Sequence, residues 1–359
     1  MSSRRRSPPV DPLQVMLVEQ WKNVLGVTSV GVDRSFASLG GTWAQLEQML
    51  ERTEAISGQL IPADLHHLGV TVEELGARIQ ILAREANLAR RAYLARNVSP
   101  DATRPPLFFL HGDYGGGGFY CLQLAAHLGR DQPLYAIAPH GLDGEPLPDT
   151  IEAMAADRLN LLRTLKRTGP YWLGGHCNGA VIAYEMARQL RAQGEHVQRL
   201  VLVTPVVFPP SPPPMTPSPG EGRRLKEVSL RELPELVRDG LAWRFKRLAS
   251  RLANRKVVLT THPLVAAVSA ARDRFTLEYS RRMRAYWPTA PYPGTVTLLY
   301  TSDPDAPGRD PIQPWPRLAE RVESRHIPGD HLGCITVHVR TLAGQIRECL
   351  DRPDTSPGS

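Results

Sequence analysis

The stretch YWLGGHCNGAVIAYEMARQLRAQG, running from Tyr171 to Gly194, restricts the fold more than any other part of this chain. It opens on an apolar run, passes through Gly-x-Cys-x-Gly centred on Cys177, and continues into residues whose apolar members recur at helical spacing. A strand that turns straight into a helix is sharp and strained, and side chains beside the apex would collide there. Gly175 and Gly179 remove those side chains, and Ala180 keeps the next turn small. The apex side chain is then presented at the end of a sheet, where a nucleophile belongs. The competing reading is a structural cysteine buried at a tight turn.

The rest of the chain supplies a sheet for this turn. LFFL at Leu107–Leu110, LYAIAPH, YWLGG, LVLV and VTLLY are short, continuous apolar runs separated by helical stretches. Strands of that kind belong to a parallel sheet covered on both faces, so the fold class is α/β. Asp149 is placed to cap one of the helices, with Glu152 three residues on. Between Phe208 and Tyr292 the alternation stops: PPSPPPMTPSPG leads into amphipathic stretches that read as a helical lid over about 209–290. From Asp11 to about Ile79 the pattern is helical with glycine breaks, as in a small all-α bundle. The expected organisation is a bundle over 10–85, a linker over 86–105 and the α/β domain over 106–351.

Bulk properties narrow the function. MSSRRRSPP is not followed by the apolar run of a secretory signal, and LVLVTPVVF falls well short of the roughly 20 residues that span a bilayer. A soluble, cytoplasmic chain with no membrane contact is expected. The four cysteines form no CxxC pair, which suits neither a disulfide framework nor a zinc site, so reduced thiols and no metal are expected. The net charge is +7, and WRFKRLASRLANRK (243–256) holds six cations and no acid. No nucleic-acid recognition motif accompanies that charge, leaving a solvated helix face or a docking patch for an acidic protein.

Two further motifs complete a candidate site. HGDYGGGGFY follows the first strand of the α/β domain, and RHIPGDHLGCI lies near the C-terminus. From Gly115 the spacing G-x-G-x-x-G fails, because Tyr120 stands where the last glycine should be, so dinucleotide binding is not expected. With the elbow these motifs resemble the α/β-hydrolase arrangement, in which the loop after the first strand and the residue after the nucleophile each offer a backbone N–H to an oxyanion. Those positions are Asp113 and Asn178. The general base of that arrangement arrives last in chain order, which selects His331 over the strand residue His326; His111 is read as packing or orienting the loop.

HGDYGGGGFY, GGHCNGA and IPGDHLGC, in that order over Leu107 to Leu350, resemble the thioesterase domains that end nonribosomal peptide and polyketide assembly lines. VEQWKNVLGVTSVGVDRSFASLGG and GVTVEELGARI resemble the first and last parts of the carrier domain that accompanies them. In carriers two glycines are followed by Asp or His and then by the serine that takes phosphopantetheine. Here Gly40 and Gly41 are followed by Thr42 and Trp43, so the resemblance implies a degenerate carrier with no cofactor bound. The family's usual acid position, after LVLV, holds Thr204, and its other placement offers Asp303, with Asp305 as second choice; Asp330 is read as making a turn.

The resemblance implies a catalytic set of Cys177, His331 and Asp303 acting on a phosphopantetheine thioester held by a partner carrier protein. Hydrolysis, cyclisation, amide formation or shuttling of the acyl group between carriers would follow. The initiating Met points to a free-standing protein. A noncatalytic scaffold of such a pathway and a hydrolase of free esters are the alternative readings, the first favoured by Trp43 and Thr204. Cys121 and Cys334 flank the motifs and are read as small core residues rather than a redox switch.

Overall fold

The computed structural model describes residues 7–89, 93–99, 102–115, 118–142, 146–205, 263–302 and 310–353. Three helices come first: α1 (Pro12–Leu25), α2 (Trp43–Ser57) and α3 (Val72–Ala89). Each boundary has a local cause. Asp11 caps α1 by accepting the Gln14 N–H at 2.8 Å, with Pro12 in the first turn and Gly26 at φ 68° closing it. Thr42 and Gln45 form a reciprocal capping box at the start of α2. Trp21 and Phe36, both fully buried, meet edge to face at 4.9 Å in the centre of the bundle.

Among the described residues, the α/β domain holds a seven-stranded sheet in the order β1-β3-β2-β4-β5-β6-β7. The strands are β1 (Tyr93–Arg96), β2 (Leu107–Leu110), β3 (Leu134–Ile137), β4 (Tyr171–His176), β5 (Val197–Val203), β6 (Tyr292–Tyr300) and β7 (Ala319–His326). All neighbours are parallel except β1, which pairs antiparallel with β3 at the edge. Every residue of β2 and of β4 is buried, as the continuous apolar runs require of central strands. The helices are α4 (Tyr120–Leu128), α5 (Ile151–Leu165), α6 (Asn178–Ala192), α7 (Pro263–Ala285) and α8 (Val339–Leu350).

Two expectations need correction, and a third falls partly outside the described residues. The segment read as a linker contains β1, which Tyr93↔Ile137 and Arg96↔Leu134 pairing holds on the sheet, and α3 runs on to Ala89. The cap of α5 is Thr150, whose hydroxyl accepts the Ala153 N–H at 3.1 Å; Asp149 lies one residue too early and is exposed. Of the lid, α7 falls within the described residues, while the Pro-rich piece and the basic stretch 243–256 lie outside them.

The bundle is not set apart from the sheet. Its apolar residues join those on one sheet face in one continuous buried cluster that runs from Leu13 and Trp21 to Leu107, Tyr120 and Ile346. Helix α3 packs along α7, and α1 packs on the 3-10 turn Gly333–Ile335. Burial of that extent, at roughly 25 cal/mol per Å² of apolar surface, ties the two parts into one folded body.

Candidate active site

Strand β4 delivers Cys177 and helix α6 leaves from it. The backbone there is strained: Cys177 has φ 58° and ψ −123°, where a side chain is seldom accommodated. The flanking glycines are needed for contact as well as for curvature. A Cβ on Gly175 would lie 2.6 Å from the Gly179 carbonyl, and one on Gly179 would lie 2.2 Å from the Leu110 carbonyl oxygen. Helix α6 thus presses its first turn against the end of β2, and the thiol stands where three segments meet.

His331 comes from the loop after β7, immediately before the Gly333–Ile335 turn, and its ring is hydrogen-bonded to the Cys177 thiol. Burial pushes that thiol up, but the His331 charge and hydrogen bond, with the Asn178 N–H, outweigh it and bring the thiol below its ordinary value. Asp330 is committed to local structure: its Oδ1 accepts the Leu332 and Gly333 N–H groups at 3.2 and 2.6 Å, fixing the turn that carries His331. His326 ends β7 against the Ser302 hydroxyl at 3.1 Å and lies exposed.

The loop after β2 closes the other side. Gly112 must be glycine, since a Cβ would meet the Cys177 Cβ at 2.8 Å and the Asn178 Oδ1 at 2.6 Å. The buried Asp113 carboxylate accepts the Gly115 and Gly118 N–H groups at 2.8 and 3.0 Å, folding the loop on itself. The Asp113 N–H faces the Nδ1 of His111 at 3.3 Å, a long contact, so His111 holds the loop by its ring nitrogen. Burial, reinforced by Arg158, pushes that ring down to about 3, so it is neutral and able to accept. The Asn178 N–H points toward the Cys177 thiol.

Two neighbours were not singled out from sequence. Tyr114 places its hydroxyl beside the Asn178 side chain and the Cys177 thiol, and stacks at a tilt on Tyr279 of α7, with ring centres 5.0 Å apart. His176, at the end of β4, lies 4.7 Å from the His331 ring. Burial and the nearby His331 charge keep His176 well below its ordinary value, and it stays neutral. The His331 carbonyl approaches its ring, yet Nε2 finds no partner at hydrogen-bond distance among the described residues.

The acid positions divide. Asp303 and Asp305 lie outside the described residues. Thr204, at the end of β5, is buried at φ 37°, and its hydroxyl faces the Cys334 thiol. The Cys334 thiol lies beside it and 3.4 Å from the His331 carbonyl. Burial and Asp330 push Cys334 up to about 12, so it is a neutral thiol that supports the histidine loop.

Comparison with known sequences decides the family: the thioesterase domain profile matches residues 105–350, more than half of the chain. The chain belongs to the thioesterase domain family. It is 33% identical over 198 residues to a dimodular nonribosomal peptide synthase of Bacillus subtilis (strain 168), covering 54% of this chain and 8% of that protein. Chondramide synthase cmdD of Chondromyces crocatus matches at 28% over 367 residues, 94% of this chain and 9% of that one. The thioesterase therefore spans less than a tenth of either relative's length. Among solved structures, the NocB thioesterase domain in covalent complex with a fluorophosphonate nocardicin G analogue superposes with a TM-score of 0.51 at 25% identity, covering 72% of this chain and 100% of that one. Holo-AB3403, a four-domain nonribosomal peptide synthetase bound to AMP and glycine, shares the fold over 98% of this chain and 27% of its own, with a TM-score of 0.52 and 22% identity. The protein is thus an enzyme domain of α/β-hydrolase type. Among its described residues no helix is long and apolar enough to cross a membrane.

Proposed function

We propose that this thioesterase takes an acyl or peptidyl group from the phosphopantetheine arm of a partner carrier protein onto Cys177 as a thioester, and passes it to an acceptor. The observation behind this reading is the Cys177–His331 pair at a strained strand-to-helix turn, with the thiol brought below its ordinary value. The Cys177 thiolate attacks the thioester carbonyl carbon, and the resulting oxyanion takes the Asn178 N–H and the Asp113 N–H, the latter exchanging its long contact with His111 Nδ1 for the oxyanion. The carbon–sulfur bond to pantetheine then breaks, and the departing sulfur takes the proton held on His331. In the second half, His331 accepts a proton from the incoming water, amine or thiol, and the Cys177 sulfur leaves.

A serine in this place would form an oxygen ester and lose the transfer potential of the thioester. Cysteine keeps the energy nearly level, so transfer can run either way. A thiolate paired with imidazole also depends less on a third residue, which accords with a threonine at position 204; Asp303, with Asp305 behind it, is our assignment for the acid.

The N-terminal bundle, on this reading, is a carrier-like domain that carries nothing. Trp43 stands where the modified serine would be, as the first residue of α2 and 54% exposed, and the neighbouring Thr42 hydroxyl is spent on the helix cap. The acyl group therefore arrives from a separate, acidic carrier, for which the stretch 243–256 would be the contact.

Exchange tests the reading. With an acyl-pantetheine and a second, isotopically labelled pantetheine, the protein should scramble the acyl group between the two thiols, and Cys177→Ala should not. Hydrolysis without exchange would support simple release and sink the shuttle. Cleavage of oxygen esters in preference to pantetheine thioesters would favour the free-ester hydrolase.

A further inference from the structure

Among the described residues, one side chain of the bundle hydrogen-bonds directly to the oxyanion loop. Arg84, on α3, donates from Nη2 to the Tyr114 carbonyl at 3.1 Å and from Nε to the Gly115 carbonyl at 3.3 Å. The Tyr114 carbonyl belongs to the same peptide unit as the Gly115 N–H, which donates to Asp113 Oδ1 at 2.8 Å. That peptide is therefore held at both ends, by a cation on its oxygen and by a carboxylate on its N–H. The loop that bears the Asp113 N–H hangs from this peptide.

The surroundings are built for close approach. A Cβ on Gly115 would meet Gln80 Nε2, also on α3, at 2.8 Å. Gln80 in turn donates to Asp11 Oδ2 at 3.0 Å, and Arg272 of α7 reaches the same oxygen at 3.3 Å. The Arg84 guanidinium lies 6.0 Å from the Phe275 ring centre, so its position is limited on a third side. Burial pushes the Asp113 carboxyl up, and its two N–H contacts together with the Arg84 charge oppose that.

We propose that Arg84 is a positioning residue of the acyl-transfer site, through which the N-terminal bundle sets the oxyanion loop. The bundle then survives without a phosphopantetheine serine because it is a wall of the site and not a cargo domain. This rests on the acyl-transfer reading above. Arg84 does not touch the reacting atoms; it acts through the Tyr114–Gly115 peptide and Asp113.

The test compares two reactions of one thiol. Alkylation of Cys177 by iodoacetamide needs the thiolate but no oxyanion hole, whereas acylation by acyl-pantetheine needs both. In full-length Arg84→Ala, acylation should fall by about 10 to 100-fold, as expected when an oxyanion donor is displaced. Alkylation should stay within about twofold, the thiolate being set by His331. Millimolar guanidinium should restore part of the lost acylation, and ammonium should not. Arg84→Lys, which keeps the charge and loses the fork, should fall between the two. Unchanged acylation, or equal loss in both reactions, would overturn the proposal. If the unaltered protein is alkylated but never acylated, the acyl-transfer reading fails on its own. Amide exchange then decides the placement of Arg84: exchange at Gly115 and Gly118 at least about tenfold faster in Arg84→Ala, with α6 unaffected, supports it, and unchanged exchange refutes it.

Discussion

Replacing His331 by alanine offers a quantitative test of how the Cys177 thiol is set. Burial acts to raise this thiol, and what brings it below its ordinary 9.0 is the His331 charge and hydrogen bond, with the Asn178 N–H as the lesser contribution. The same chain supplies a reference for a thiol without a cation: Cys334, buried beside Asp330, is pushed up to about 12. Without His331 the burial of Cys177 is left unopposed by that charge, so the thiol rises, and each unit of rise is tenfold less thiolate, about 1.36 kcal/mol. His331 is exposed, so water weakens its field and the expected loss is on the order of a single unit. We expect iodoacetamide to alkylate Cys177 at neutral pH at least about tenfold more slowly in His331→Ala, with the inflection of the pH–rate profile moved upward. The assay is intact mass against time at a series of pH values, with Cys177→Ala as the blank. Equal rates and an unmoved inflection would refute the pairing of these side chains.

Further outcomes follow from the same geometry. In Cys177→Ser the acyl-enzyme would be an oxygen ester, so slow hydrolysis should remain while return of the acyl group to a pantetheine thiol is lost; a serine variant that exchanges as well as the parent would contradict our account of the cysteine. Gly179→Ala drives a methyl group to 2.2 Å from the Leu110 oxygen and should cost about 3 kcal/mol, read as a fall of several degrees in the melting midpoint. Since the folded Cys177 thiol lies below its unfolded value, its contribution to stability is complete above the unfolded value near 9 and is lost as pH falls through the folded one. Denaturation of the protein and of Cys177→Ala should accordingly diverge as pH rises toward about 9, and parallel curves would count against the ionisation.

Legibility in the sequence followed range. The central strands were plain because β2 and β4 are buried along their whole length, and such strands read as unbroken apolar runs. The elbow was plain because its Gly-x-Cys-x-Gly spacing is local and Gly175 answers a contact only four residues on, at Gly179, although Gly179 itself answers the distant Leu110. Strand β1 was hidden: YLAR has four residues, none fully buried, and only its pairing with β3 makes it a strand. Asp149 and Thr150 are both good caps, and no local rule separates adjacent candidates by one residue. Arg84 was out of reach, because its contacts with Tyr114 and Gly115 span about thirty residues and depend on how the bundle docks. Thr204 was visible as a departure at the acid position, but its positive φ and its neighbour Cys334 belong to the folded chain.

The central claim is a covalent thioester on Cys177, and intact mass tests it most directly. The full-length protein is mixed with an acyl-pantetheine, or with a carrier bearing the same acyl group, and weighed before turnover is complete. The account predicts a gain equal to the acyl group, absent in Cys177→Ala and discharged by added pantetheine. No gain with any of several chain lengths, or a gain that persists in Cys177→Ala, would contradict it.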